Sequence, residues 1–174
     1  MENINNRTIA LTTTAMMFAL IMVFSVLEST LAPIFGLPPG VRLGLTNIIV
    51  MYSLFFINKP TTLILVILKS IFVFATRGGV AGFLSFTGGV LAFAVMVLLM
   101  LIFKDKISIL ILSIAGAIAH NIGQLMIASL LLHQNLVFVY FPVLFVSGIV
   151  VGTITGSLLR ATLPILHKIT INRE

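Results

Sequence analysis

Apolar residues run along this chain in six long blocks, separated by short clusters of proline, glycine, asparagine and charge. A hydrocarbon core of about 30 Å takes roughly 20 helical residues, or fewer where a helix is partly enclosed by protein. On that measure the blocks predict helices over about 8–31, 43–57, 61–76, 81–103, 107–132 and 136–163. Each break has a chemical reason. Pro33, Gly36, Pro38, Pro39 and Gly40 are too dense for the first helix to continue. Asn58, Lys59 and Pro60 close the second helix, and proline suits the first turn of the third. The third ends at Arg77-Gly78-Gly79, the fourth at Lys104-Asp105-Lys106 and the fifth at His133-Gln134-Asn135. The second and third blocks are short, so a re-entrant or tilted arrangement stays open there.

Composition turns these blocks into a class. Of 174 residues, 60% are hydrophobic and 8% charged, with a mean hydropathy of +1.26. One small core cannot hide so much apolar surface, and lipid is the solvent that can. The expected fold is an all-α membrane protein, a bundle of six transmembrane helices in one integral membrane domain over 1–174. The first block is long and no small-residue cleavage signal closes it early, so it reads as a helix and not as a removed leader. Cysteine is absent, which excludes disulfides and thiolate metal sites.

Charge sets the expected topology. The net charge is +6, but the ten basic residues sit mostly at segment ends, a membrane pattern and not a nucleic-acid footprint. Six crossings put both termini on one side, with Arg7, Lys59, Lys104, Lys106, Arg160, Lys168 and Arg173. Only Arg42 and Arg77 fall opposite, and Lys69 lies within a helix. The excess of basic residues places both termini in the cytoplasm.

The remaining polar residues carry the chemistry. A charge at mid-bilayer costs about 2.5–3.5 kcal/mol even on a lenient insertion scale, so each needs a partner or a purpose. Glu28 lies near the outer end of the first helix, with Arg42 and Asn47 opening the second on the same side. Lys69 is near the middle of the third helix and Arg77 at its outer end. Ser85, Thr87, Gly88 and Gly89 follow in the fourth. In the fifth, His120 and Gln124 share a face, with Asn121 beside them. All fall in the middle or outer half of the membrane, which points to a site open to the outside. Arg42, Lys69 and Arg77 against Glu28 leave cations in excess, which favours an anionic ligand between helices. Plainer readings stand beside this one. Glu28 with Lys69 or Arg42 also fits a structural ion pair, and Arg42 and Arg77 also fit snorkelling at the interface. The glycine pairs also fit helix packing, as does the Ala15–Ala19 step on the first helix.

Catalysis finds little footing. Phosphoryl and prenyl transfer use clustered carboxylates to hold magnesium, and the one aspartate, Asp105, sits in a loop between two lysines. No Walker loop and no serine or cysteine nucleophile motif is present. His120 has no second ligand at metal spacing. The expectation is a non-enzyme with no cofactor, no metal and a small-molecule substrate. A free-standing secondary carrier stays open, although six helices without a visible repeat is small for alternating access.

The segments Pro39-Gly40-Val41-Arg42-Leu43-Gly44-Leu45-Thr46-Asn47-Ile48, Gly88-Gly89 and Ala119-His120-Asn121-Ile122-Gly123-Gln124 resemble the bacterial Gx transporter family. That family is often labelled heptaprenyl diphosphate synthase component I. It is similar to the substrate-binding S-components of energy-coupling factor (ECF) transporters. The resemblance covers essentially the whole chain. It implies a multi-pass protein of the bacterial cell membrane that captures a micronutrient, such as a vitamin, from outside. It implies partners too: a membrane-embedded coupling subunit, met through the small-residue step that maps onto Ala15 and Ala19, and two cytoplasmic ATPases. The synthase label implies the alternative of a non-catalytic membrane subunit in isoprenoid or quinone synthesis. The polar residues themselves, apart from the resemblance, give the candidate binding set: Arg42, Asn47, Lys69, Arg77, His120, Asn121 and Gln124 lining the site, with Glu28 as orienting partner.

Overall fold

The computed structural model describes residues 2–31, 34, 36, 44–132 and 136–171. They form α1 (Glu2–Leu31), α2 (Asn47–Phe56), α3 (Lys59–Arg77), α4 (Gly79–Phe103), α5 (Ile109–Leu132) and α6 (Leu136–Ile171), with a 3₁₀ turn at Lys104–Lys106. The described residues contain no strand. Five helices are long and apolar enough to cross a bilayer, which makes this a multi-pass membrane protein. The sixth, α2, is not. Its ten residues rise about 15 Å, half of a hydrocarbon core. The six expected helices are present among the described residues, five of them as long apolar spans and α2 as a shorter apolar helix. α1 extends back to Glu2 and α6 on to Ile171, beyond their apolar blocks.

Local chemistry explains the joins. Asn58 caps α3, its side chain accepting from the Thr61 amide at 2.7 Å, with Pro60 in the first turn where its missing N–H is harmless. At the far end Gly78 takes φ +87°, which lets α4 start at the next residue. Thr62 donates to Ser53 Oγ at 2.9 Å and binds α2 to α3.

Small residues set how closely the long helices approach. A methyl group on Gly152 would come within 2.6 Å of Ile114 Cα, and Gly148 and Gly156 meet Ile118 and Leu110 in the same way. These pairs, four residues apart on both helices, show α5 and α6 antiparallel and in backbone contact. Ser113 and Thr155 share a hydrogen bond across the same seam. Gly152→Val would force the two backbones apart and is expected to destabilise the protein by about 3 kcal/mol. Thermal unfolding in detergent, with Gly152→Ala as a milder companion, checks this.

Between α3 and α4, Gly82 meets Phe74 and Gly89 meets Val66; between α4 and α5, Gly88 meets Gly123 and Met96 meets Gly116. Both pairs are therefore antiparallel. α1 runs parallel to α3, with Phe18 edge-on to Phe72 and Arg77 bonded to Ser25. α1 is the least enclosed span: only 11% of its apolar window is buried, and Leu11, Met16, Leu20, Val23 and Leu27 lie exposed.

Candidate functional site

Buried polar side chains gather in one layer of the bundle. Next to it, toward the α2–α3 turn, the interior is mainly apolar, its buried polar groups being the hydrogen-bonded pairs Ser53–Thr62 and Ser113–Thr155. Val50, Met51 and Leu54 of α2 pack with Val66, Ala92, Met96, Leu112 and Leu159. Ile21, Ile49 and Leu65 form a second cluster beside them. One to two turns further along each helix the character changes. α1 then offers Ser25 and Glu28, α2 Asn47, α3 Lys69 and Ser70, α4 Ser85, and α5 His120 and Gln124, all buried. The glycine contacts fix the level. Ser85 lies between Gly82, which meets Phe74, and Gly89, which meets Val66, and so is level with Lys69 and Ser70. Gly88, one turn on, meets Gly123 and His120 of α5. The layer thus has an apolar floor.

Glu28 organises the α2 side. Its carboxylate accepts from the Gly44 amide, from the Leu45 amide at 2.7 Å and from the Thr46 hydroxyl at 3.4 Å. These three residues lead directly into α2, whose N-terminus carries a partial positive charge. A buried carboxylate is tolerable here because it takes the N–H groups that a helix start inside a membrane leaves open. Arg77 donates to the Ser25 carbonyl at 2.8 Å, one turn before Glu28, and lies in the field of that carboxylate. Glu28 is therefore a cap for α2 with a cation nearby.

Gly44 is the junction. It has φ +90°, a conformation that favours glycine, and a methyl group there would sit 3.2 Å from Asn47 Nδ2 and 3.3 Å from His120 Cδ2. The opposite edge of the His120 ring lies on Gly88, where an added methyl group would come within 2.9 Å of Cε1 and Nδ1. Glu28, Asn47 and His120 thus come together around one glycine, and His120 is held between two. Gln124, one turn further along α5, is fully buried.

Asn121 points elsewhere. Its amide donates to the Leu144 carbonyl at 2.7 Å and to Ser147 Oγ at 3.3 Å, which ties α5 to α6. Arg42 lies outside the described residues. Ala15 and Ala19 are exposed on α1, far along that helix from Glu28. Among the described residues no three His, Cys, Asp or Glu side chains come close enough to hold a metal. Sequence reasoning gave no separate weight to Thr46, Ser25 or Gly44. The signal for them was spacing: Ser25 precedes Glu28 by one turn, and Gly44 and Thr46 sit inside the segment that begins α2.

A family model described as heptaprenyl diphosphate synthase component I matches residues 17–162. That stretch contains the buried polar layer in full. No curated protein and no solved structure matches the chain.

Proposed function

The chain belongs to the heptaprenyl diphosphate synthase component I family, and from that premise we propose that it is the substrate-binding S-component of an ECF-type importer. Its termini lie in the cytoplasm, and it captures a small anionic organic micronutrient or precursor from outside. The observation that carries this reading is the buried polar layer on an apolar floor. Such a layer inside a membrane protein is costly unless it serves a ligand or an ion path. Lys69 and Arg77, with Arg42 from the adjoining segment, set three cations against Glu28, whose oxygens are already engaged by α2. An anionic group on the ligand balances that excess.

The exposed flank of α1 supports the partner side. Ala15 and Ala19, both exposed, lie on a helix that leaves most of its surface uncovered by its own chain. Small residues at this spacing admit a second helix closely. A membrane coupling subunit there, with two ATPases below it, would supply the energy this chain has no motif to provide.

The family description favours a second reading, a non-catalytic membrane subunit linked to prenyl diphosphate synthesis. Purification from a native-like host, followed by native mass spectrometry, separates the two. The importer reading expects a retained anionic metabolite and co-purifying ATPases with a coupling protein. An empty protein bound to a soluble, aspartate-rich synthase would replace it with the second. Within the importer reading, neutralising Arg42 and Lys69 together is expected to weaken ligand binding at least about a hundredfold, two charge-assisted contacts being lost. Binding as tight as wild type would overturn the site assignment.

A further inference from the structure

Asn47 is the first residue of α2, and its side chain is buried inside the polar layer. Neither Nδ2 nor Oδ1 has a hydrogen-bond partner among the described residues. The contrast with the other buried asparagine is direct, because the Asn121 amide nitrogen is held by Leu144 and Ser147. Leaving one buried polar atom unpaired costs about 1–3 kcal/mol, and here both atoms of one carboxamide share that state. Whichever way the amide is turned, it presents one donor and one acceptor side by side.

We propose that the ligand of this site carries an amide-type edge, a lactam, ureide or similar N–H beside C=O, that pairs with both atoms of the Asn47 carboxamide. The inference rests on the substrate-binding reading above and deepens it. A carboxylate or phosphate only accepts, so it satisfies Nδ2 and leaves an anionic oxygen facing Oδ1. A hydroxyl is a single oxygen and meets one of the two atoms well. A cis-amide edge has its donor and acceptor at the same separation as the carboxamide and satisfies both. Gly44 lies directly against this carboxamide, a methyl group there coming within 3.2 Å of Nδ2. A second buried oxygen, Ser85 Oγ, also has no partner among the described residues, and it lies level with Lys69. The acidic end of the ligand therefore runs from Asn47 past Ser85 toward Lys69. The class is a small organic acid with an amide edge.

The test uses matched probes on the full chain in lipid nanodiscs. 5-Oxoproline has a lactam and a carboxylate, and 3-oxocyclopentane-1-carboxylate replaces its N–H by CH₂ while keeping ring, carbonyl and charge. Hydantoin-5-acetate and orotate extend the amide series. Binding is read by saturation-transfer NMR at millimolar probe. 5-Oxoproline is expected to bind at least about tenfold tighter than the ketone, one hydrogen bond's worth. That ratio should fall close to one in Asn47→Leu, whereas Asn47→Asp, which keeps an acceptor for the lactam N–H, should retain it. The melting temperature of Asn47→Leu should stay level or rise, because an unpaired buried amide is replaced by an apolar side chain of similar size.

Equal binding of the matched pair overturns the proposal, as does a ratio that survives in Asn47→Leu, or silence from every amide probe. A fall in the melting temperature of Asn47→Leu also overturns it, by assigning the amide to the fold. Failure here is separable from failure of the importer reading. Anions bound without amide preference, or coupling subunits co-purifying with a protein that ignores the probes, leave that reading standing. A co-purifying synthase alone removes it.

Discussion

Glu28→Ala is expected to destabilise the protein by about 3–5 kcal/mol, the scale of removing one partner from a buried charged network. The substitution strands the amides of Gly44 and Leu45 and the hydroxyl of Thr46 in a part of the membrane where water is not at hand to replace the carboxylate. It also leaves Arg77 without the negative charge one turn from its Ser25 contact. Glu28→Gln keeps a carbonyl oxygen in place and removes only the charge, so its loss should be about half as large. Thermal unfolding in detergent gives the order wild type, Gln, Ala. Hydrogen exchange adds a local readout: the amides of residues 44 and 45 should exchange faster in both variants, while those in the middle of α5 do not. A uniform rise along the chain, or no change at 44 and 45, would contradict the capping role.

The second large effect is at Gly88. A methyl group there would come within 2.8 Å of the His120 carbonyl oxygen and 2.9 Å of two ring atoms, while Gly123 already meets Gly88 Cα across the seam. The neighbours are the His120 carbonyl oxygen and its fully buried ring, whose far edge is already against Gly44, so there is little room for either to move aside. Gly88→Ala is expected to cost about 2 kcal/mol, and Gly88→Leu to prevent assembly of α4 on α5. Because the same contact holds the His120 ring against Gly44, Gly88→Ala should also weaken ligand binding by at least about tenfold, a displacement of a positioned side chain being enough for that. Gly116→Ala is the control. It meets the flexible thioether of Met96, which adapts easily, and should leave binding within about threefold of wild type. Equal losses at Gly88 and Gly116 would mean that His120 does not depend on this seam.

Much of this architecture was written in hydropathy. Blocks of twenty or so apolar residues mark the long spans because lipid imposes that length, whatever the helices pack against. The polar positions were legible too, since a lysine or glutamate inside such a block stands out. Pairing was not. Glu28 could be matched in sequence only to another charge, Lys69 or Arg42, because backbone amides look alike at every residue. That it caps α2 depends on the chain turning at Gly44 with positive φ. The start of α2 was set too early for the same reason, as apolar Leu43 and Leu45 extend the block while the helix begins at Asn47. Asn121 shows a different limit. Neighbouring helix residues point about 100° apart, so it could not face the same partner as His120, and only the position of α6 decides what it meets.

The shortness of α2 also bears on how the protein enters a bilayer. A segment of ten apolar helical residues is too brief to be held as a crossing by itself. It has to go in with α3, to which the Asn58 cap, Pro60 and the Ser53–Thr62 hydrogen bond already fasten it. The side chain that closes the start of α2 therefore also ties the α2–α3 hairpin to α1, so that one carboxylate joins the short segment to the first span.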